Sequence, residues 1–133
     1  MDWKLEVVVL PVTDVDRAKR FYEEQCGFHV DVDRDMGSMR IVQLTPPGSG
    51  CSVTIGPVVL EEPPATPARL QIVVSDIDAA RQELADRGVD VGPVVHFEAT
   101  GPVEGHGGDW NSFVFFEDPD GNNWALQQTP APA

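Results

Sequence analysis

The chain is short of positive charge. Only 9 of its 133 residues are Lys or Arg, against 22 Asp and Glu, for a formal net charge of −13. Phosphate backbones are gripped by clustered cations, and no cluster occurs here, so neither nucleic acid nor an anionic membrane surface is an expected partner. Long apolar runs are missing as well. None approaches the ~20 residues that a membrane span needs. The opening Met1-Asp2-Trp3-Lys4-Leu5-Glu6 has no basic stretch followed by an apolar one, so no secretory signal is read and a cytoplasmic location is expected. Cysteine is scarce. Cys26 and Cys51 form no Cys-x-x-Cys and are read as free thiols filling core space. What remains is an ordinary globular composition, 41% hydrophobic and 23% charged. That length and composition suit a single domain over residues 1–133, with a core that needs neither metal nor disulfide.

The chain also repeats itself. Leu5-Glu-Val-Val-Val-Leu-Pro-Val-Thr-Asp-Val-Asp-Arg-Ala18 is echoed by Pro67-Ala-Arg-Leu-Gln-Ile-Val-Val-Ser-Asp-Ile-Asp-Ala-Ala80. Each reads as an apolar strand, then Thr/Ser-Asp, then a helical pattern. Asp76 follows Asp14 by 62 positions. Internal repetition governs architecture, because each copy is one structural unit. Asp14 and Asp76 suit helix N-caps, where a carboxylate accepts backbone N–H bonds. Val15, Ala18, Tyr22 and Cys26 share one helical face, as do Ile77, Ala80 and Leu84, and Gly27 and Gly88 end the two helices.

Three further strands are predicted after each helix, over 28–34, 39–44 and 51–56, and over 89–97, 112–116 and 123–128. Turn residues separate them, including Pro46-Pro-Gly-Ser-Gly50 and Asp118-Pro-Asp-Gly-Asn122. Pro119 and Gly121 follow Pro46 and Gly48 by 73 positions, so the second copy has gained 11 residues (73 less 62). The gain falls in 98–111, read as a long loop, and long loops are often functional. Module one is taken as about 3–57, a proline-stiffened linker as 58–67, and module two as about 68–128.

Val9–Tyr22, with its Pro-Val-Thr-Asp-Val-Asp-Arg-Ala-x-x-Phe-Tyr, resembles the opening of the vicinal-oxygen-chelate superfamily, and Phe116-Glu-Asp-Pro-Asp-Gly-Asn-x-Trp124 resembles its closing segment. That superfamily includes glyoxalase I, extradiol dioxygenases, methylmalonyl-CoA epimerase and the fosfomycin- and bleomycin-resistance proteins. The resemblance covers about residues 3–128. It implies an α+β fold of two βαβββ modules forming a cupped mixed sheet, commonly as a homodimer, with a small-molecule cavity. Fold alone does not name the activity.

The resemblance also implies four places for the ligands of a divalent metal. One is a His seven residues before each helix-capping Asp; the other is a Glu or His on each final strand. Here these places hold Val7, Arg69, Ala125 and Ser52. Val and Ala coordinate nothing, and Arg is a fixed cation. No metal and no cofactor are therefore expected, and a metal-dependent lyase or dioxygenase is disfavoured. His96, His106, Glu104 and Asp109 are the residues from which a non-standard metal or acid–base site would be rebuilt. Catalytic residues are not assigned.

Strand alternation turns Val7, Val9, Ser52, Thr54, Arg69, Gln71, Ala125 and Gln127 away from the helices, a mixture of apolar and polar groups suited to a pocket. Arg69 offers a two-pronged donor for a carboxylate or phosphate. Trp110, in the long segment, is a candidate cover for an aromatic ligand. Three readings stay open: a metal-free small-molecule binder of the sequestration or resistance type, an enzyme of the same fold with a rebuilt or metal-free site, and a dimer module without a ligand. The first is preferred, as a homodimer with a small-molecule ligand.

Overall fold

Both helices start where a carboxylate meets bare backbone N–H groups. Asp14 accepts from the Arg17 N–H and Asp76 from the Ala79 N–H, each at 3.0 Å. In the computed structural model, which describes residues 1–131, these caps open α1 (Val15–Arg20) and α2 (Ile77–Asp86). The final two residues of the expected 1–133 domain lie outside the described residues. Gly27 and Gly88 take positive φ of 73° and 89° just beyond the helical segments, the conformation that glycine adopts without steric cost. The chain divides into two units. One is Met1–Pro67 with the segment Asp118–Asn122; the other is Ala68–Glu117 with the strand that begins at Asn123.

The first unit holds β1 (Val7–Val9), α1, β2 (His29–Asp35), β3 (Arg40–Thr45) and β4 (Ser52–Ile55). Its sheet runs β1-β4-β3-β2, with β1 parallel to β4 and the other pairs antiparallel. The three strands expected after α1 are each present, shifted by a residue or so at their ends, while the first apolar strand is confined to Val7–Val9. After Arg20 the helix widens into a π-turn over Phe21–Gln25, closed by the Cys26 N–H to the Phe21 carbonyl at 3.0 Å. Phe21 and Tyr22, which open this π-turn, are both buried. Leu10, Val12, Ala18, Val42, Leu44 and Ile55 complete this core with no exposed surface.

The turn Asp118–Asn122 belongs with this unit although its sequence lies between the last two strands of the chain. Tyr22 donates its hydroxyl to Asp118 at 2.5 Å, and Asp118 also accepts from the Asp120 and Asn122 backbone N–H groups, both at 2.9 Å. Asp120 accepts from the Thr13 hydroxyl at 2.5 Å and from Arg17 at 3.2 Å. Several donors meet the charge of these buried carboxylates, although those to Asp120 all reach Oδ1 and its Oδ2 is buried with no hydrogen-bond partner among the described residues.

The second unit holds β5 (Arg69–Val74), α2, β6 (Val95–Glu98), β7 (Gly101–Glu104), β8 (Phe113–Glu117) and β9 (Asn123–Gln128). Its sheet runs β5-β9-β8-β6-β7, with β5 parallel to β9. Ile77, Leu84, Val114, Phe116, Trp124 and Leu126 are buried on its helix side, and Phe116 stacks on Trp124 at 6.2 Å. Three expectations are corrected here. The strand foreseen over 89–97 is confined to Val95–Glu98, because Gly92-Pro93 interrupts it and proline has no N–H for a ladder. The segment foreseen as a long loop over 98–111 begins as a hairpin, with Glu98 paired to Gly101 and Val95 to Glu104, so it supplies a fifth strand. Cys26 and Cys51 form no disulfide, as expected, but both are half-buried and not the buried space-fillers foreseen.

Candidate functional site

A residue directly across a ladder shares a sheet face with its partner, so the register places the expected site residues. In the first unit Val7 lies across from Ser52 and Val9 across from Thr54, with Gln43 beyond Thr54. All five stand on the face away from α1. Val7 and Val9 are exposed, while Ser52 and Thr54 are buried. Ser52 and Thr45 share a hydroxyl hydrogen bond of 2.5 Å, and Thr45 donates in turn to Asp31.

In the second unit the rows are Arg69–Asn123–Glu117, Gln71–Ala125–Phe115 and Val73–Gln127–Phe113. Val95 continues the third row, pairing with Phe113. Arg69 thus lies across from Asn123, and Ala125 lies across from Gln71. Counting from the helix caps makes Arg69 the counterpart of Val7; the ladder gives Gln71 the place opposite Ala125 that Val7 has opposite Ser52. The shift is two residues, so every side chain keeps its face.

These rows border a cavity of about 440 Å³, lined by Arg69, Gln71, Phe115, Asn123 and Ala125 among others. Ligand pockets commonly occupy about 300–1,000 Å³ and combine apolar walls with a few placed polar groups. Gln71 donates to Gln127 at 2.5 Å, and Gln127 donates to the Trp110 carbonyl at 2.8 Å. Trp110 therefore reaches the candidate face through its backbone. It has φ of 61°, a left-handed conformation that is unusual for a bulky residue and is held by surrounding bonds. Asn111 supplies more of that hold: its side chain accepts from the Phe97 N–H at 2.8 Å and donates to the Phe97 carbonyl at 3.0 Å. The Trp110 side chain is about half exposed, at 52%.

Three aromatic rings on this face were not foreseen as site residues. Phe97 meets Phe113 edge-on at 5.4 Å and Phe115 at 6.3 Å, while Phe113 and Phe115 stack at 6.1 Å. Phe97 and Phe115 remain 45% and 44% exposed. The spacing of Phe113 and Phe115, two apart on a strand, was the available signal. Phe97 joins them only through tertiary pairing of β6 with β8.

The donor set does not fit a hard divalent cation, which takes carboxylate oxygens or imidazole nitrogens. The paired positions offer Val7 with Ser52 and Gln71 with Ala125, and the Arg69 guanidinium stands in the next row. Among the described residues no three His, Cys, Asp or Glu side chains gather as a metal-binding group. The histidines go to separate neighbours. His29 is 3.8 Å from Asp31, His96 pairs with the Gly105 carbonyl at 2.9 Å, and His106 is 2.8 Å from Asp78 at the start of α2. A second cavity of about 320 Å³ in the first unit, between Asp35, Met39, Arg40 and Gly56, holds none of the expected site residues.

The comparisons agree with this architecture. The family model described as the Glyoxalase/Bleomycin resistance protein/Dioxygenase superfamily matches residues 4–126. The crystal structure of TnmS3, an antibiotic binding protein from Streptomyces sp. CB03234, is similar with a TM-score of 0.74 and 30% identity over 98% of each chain. A glyoxalase/bleomycin resistance protein from the same organism is 31% identical, with a TM-score of 0.71, over 94% of this chain and all of that one (100%). A superfamily member from Sphaerobacter thermophilus DSM 20745, 24% identical over 96% of this chain and 98% of that one, shares the fold with a TM-score of 0.71. No curated protein matches.

Proposed function

The chain belongs to the Glyoxalase/Bleomycin resistance protein/Dioxygenase superfamily, and we propose that it binds a small organic molecule without the family's metal, acting by sequestration and not by turnover. The observation that carries this reading is the pairing of Gln71 with Ala125 beside a cavity of about 440 Å³. A chelating enzyme needs anionic or imidazole ligands at such a place. An amide and a methyl group supply hydrogen bonding and apolar contact instead, which is what holding the body of an organic molecule requires. Val7 opposite Ser52 repeats the same chemistry in the other unit. The likeness to TnmS3, described as an antibiotic binding protein, supports a ligand of antibiotic type. The reading takes the protein as a cytoplasmic homodimer with no nucleic-acid or membrane partner, consistent with its net charge of −13.

The test is elemental analysis beside native mass spectrometry of protein purified without chelator. Sub-stoichiometric metal on a dimer, unchanged by added zinc, nickel or manganese, is expected. One tightly bound metal per chain would overturn the metal-free reading and turn attention to lyase and dioxygenase substrates.

A further inference from the structure

The face that carries the proposed ligand site has two halves of different chemistry. One is a cation. The chain has 22 acidic residues and only 9 basic ones, so carboxylate partners are abundant, and Arg17, Arg40 and Arg87 each have one. The Arg69 side chain has no ion pair or hydrogen bond among the described residues, although it is exposed and lines the cavity. The carboxylate in its own row, Glu117, is separated from it by Asn123, hence two strands or roughly 10 Å away. A guanidinium left bare beside two amide side chains, Gln71 and Asn123, is ready to take a two-oxygen anion through parallel hydrogen bonds.

The other half is aromatic. Phe97, Phe113 and Phe115 form one cluster of rings, and two of the three leave almost half their surface uncovered. Exposed aromatic clusters are disfavoured in water unless something covers them, and a planar ring system is the ligand that such a surface stacks best. Phe115 lies one row from Arg69 and two strands away. That separation of roughly 12 Å suits a ring system of two or three fused rings with an acidic group at one end.

We propose that this face binds a planar aromatic anion, its rings on Phe97, Phe113 and Phe115 and its carboxylate on Arg69. The inference rests on the small-molecule reading above and narrows it to one ligand class. It makes Arg69 the residue that selects charge and the phenylalanines the residues that select planarity.

The full chain is titrated by calorimetry with 2-naphthoate, its neutral analogue 2-naphthamide, and octanoate as an anion without a ring. Naphthoate is expected to bind about tenfold or more tightly than either of the others, since only it uses both halves. Arg69→Gln should remove the preference for naphthoate over naphthamide and leave naphthamide binding as it was, with unchanged circular dichroism. Phe115→Leu should weaken both naphthalene compounds alike. Equal affinities for naphthoate and naphthamide, or no response to Arg69→Gln, would overturn the proposal. If naphthoate fails while members of a neutral compound library bind, the ligand class falls and the small-molecule reading stands. If neither the probes nor the library bind, both fall.

Discussion

Asp33 shows how single side chains are held in this acidic protein. Arg40 grips it with two nitrogens at 2.9 Å, and Lys19 adds a third contact at 2.9 Å. Arg40 also reaches Asp16 at 2.5 Å. These donors, Arg40 first and Lys19 second, hold the Asp33 carboxyl well below the usual carboxylate range. An unfolded Asp titrates near 3.9. A folded value below that means the interaction stabilises the fold fully above about pH 4 and loses its contribution as the pH falls further. The urea-unfolding midpoint of Asp33→Asn is therefore expected to lie below that of the wild type by a constant margin from pH 5 to 8. The margin should narrow steadily below pH 4. A gap that widened on acidification would contradict the ion-pair account. Asp118 and Asp120 are different in kind. They are buried, and their donors come from Tyr22, Thr13, Arg17 and the turn's own backbone, so they fasten the turn Asp118–Asn122 into the core of the first unit.

At the scale of elements, the β6–β7 hairpin and the segment after it decide what covers the candidate face. Gly107 shows how closely that segment is packed. A Cβ there would lie 2.2 Å from the Asn111 carbonyl oxygen and 2.7 Å from the His96 Cβ, so only glycine fits without movement. Asn111 then ties the segment to β6 by copying a strand's own hydrogen-bond pattern with its side-chain amide. Because the Phe97 N–H has Asn111 as its acceptor, Asn111→Ala is expected to speed hydrogen exchange at Phe97 by tenfold or more. Global stability should fall by only about 1 kcal/mol per lost bond, since the site is exposed. Unchanged protection at Phe97 would show that another group holds the segment. The repeat, the caps and the strand alternation were legible locally, because Asp14 and Asp76 and the period-two pattern act within a few residues. The hairpin was not, since Glu98-Ala-Thr-Gly101 is polar and carries no alternation strong enough to mark a strand.

At the scale of the whole molecule, charge is the dominant feature. A net −13 on 133 residues implies self-repulsion in the folded state that local pairs such as Lys19–Asp33 only partly offset. Screening shortens from about 30 Å at 10 mM salt to about 8 Å at 150 mM. The thermal midpoint is expected to rise over that interval, read by circular dichroism in sodium chloride. A fall would mean that the ion pairs around Arg40 outweigh the general repulsion. No helix among the described residues is long and apolar enough to cross a membrane. The sequence by itself determined the two related copies, their capped helices and the face on which Val7, Ser52, Arg69 and Ala125 stand, because helix ends and strand faces are set by neighbours a few residues apart. Only the tertiary structure decided that Gln71 and not Arg69 faces Ala125, that Asp118–Asn122 joins the first unit, and that Phe97 meets Phe113 and Phe115. A two-residue slip preserves every side-chain face, and distant strands are matched by ladder hydrogen bonds that leave no local trace in the chain.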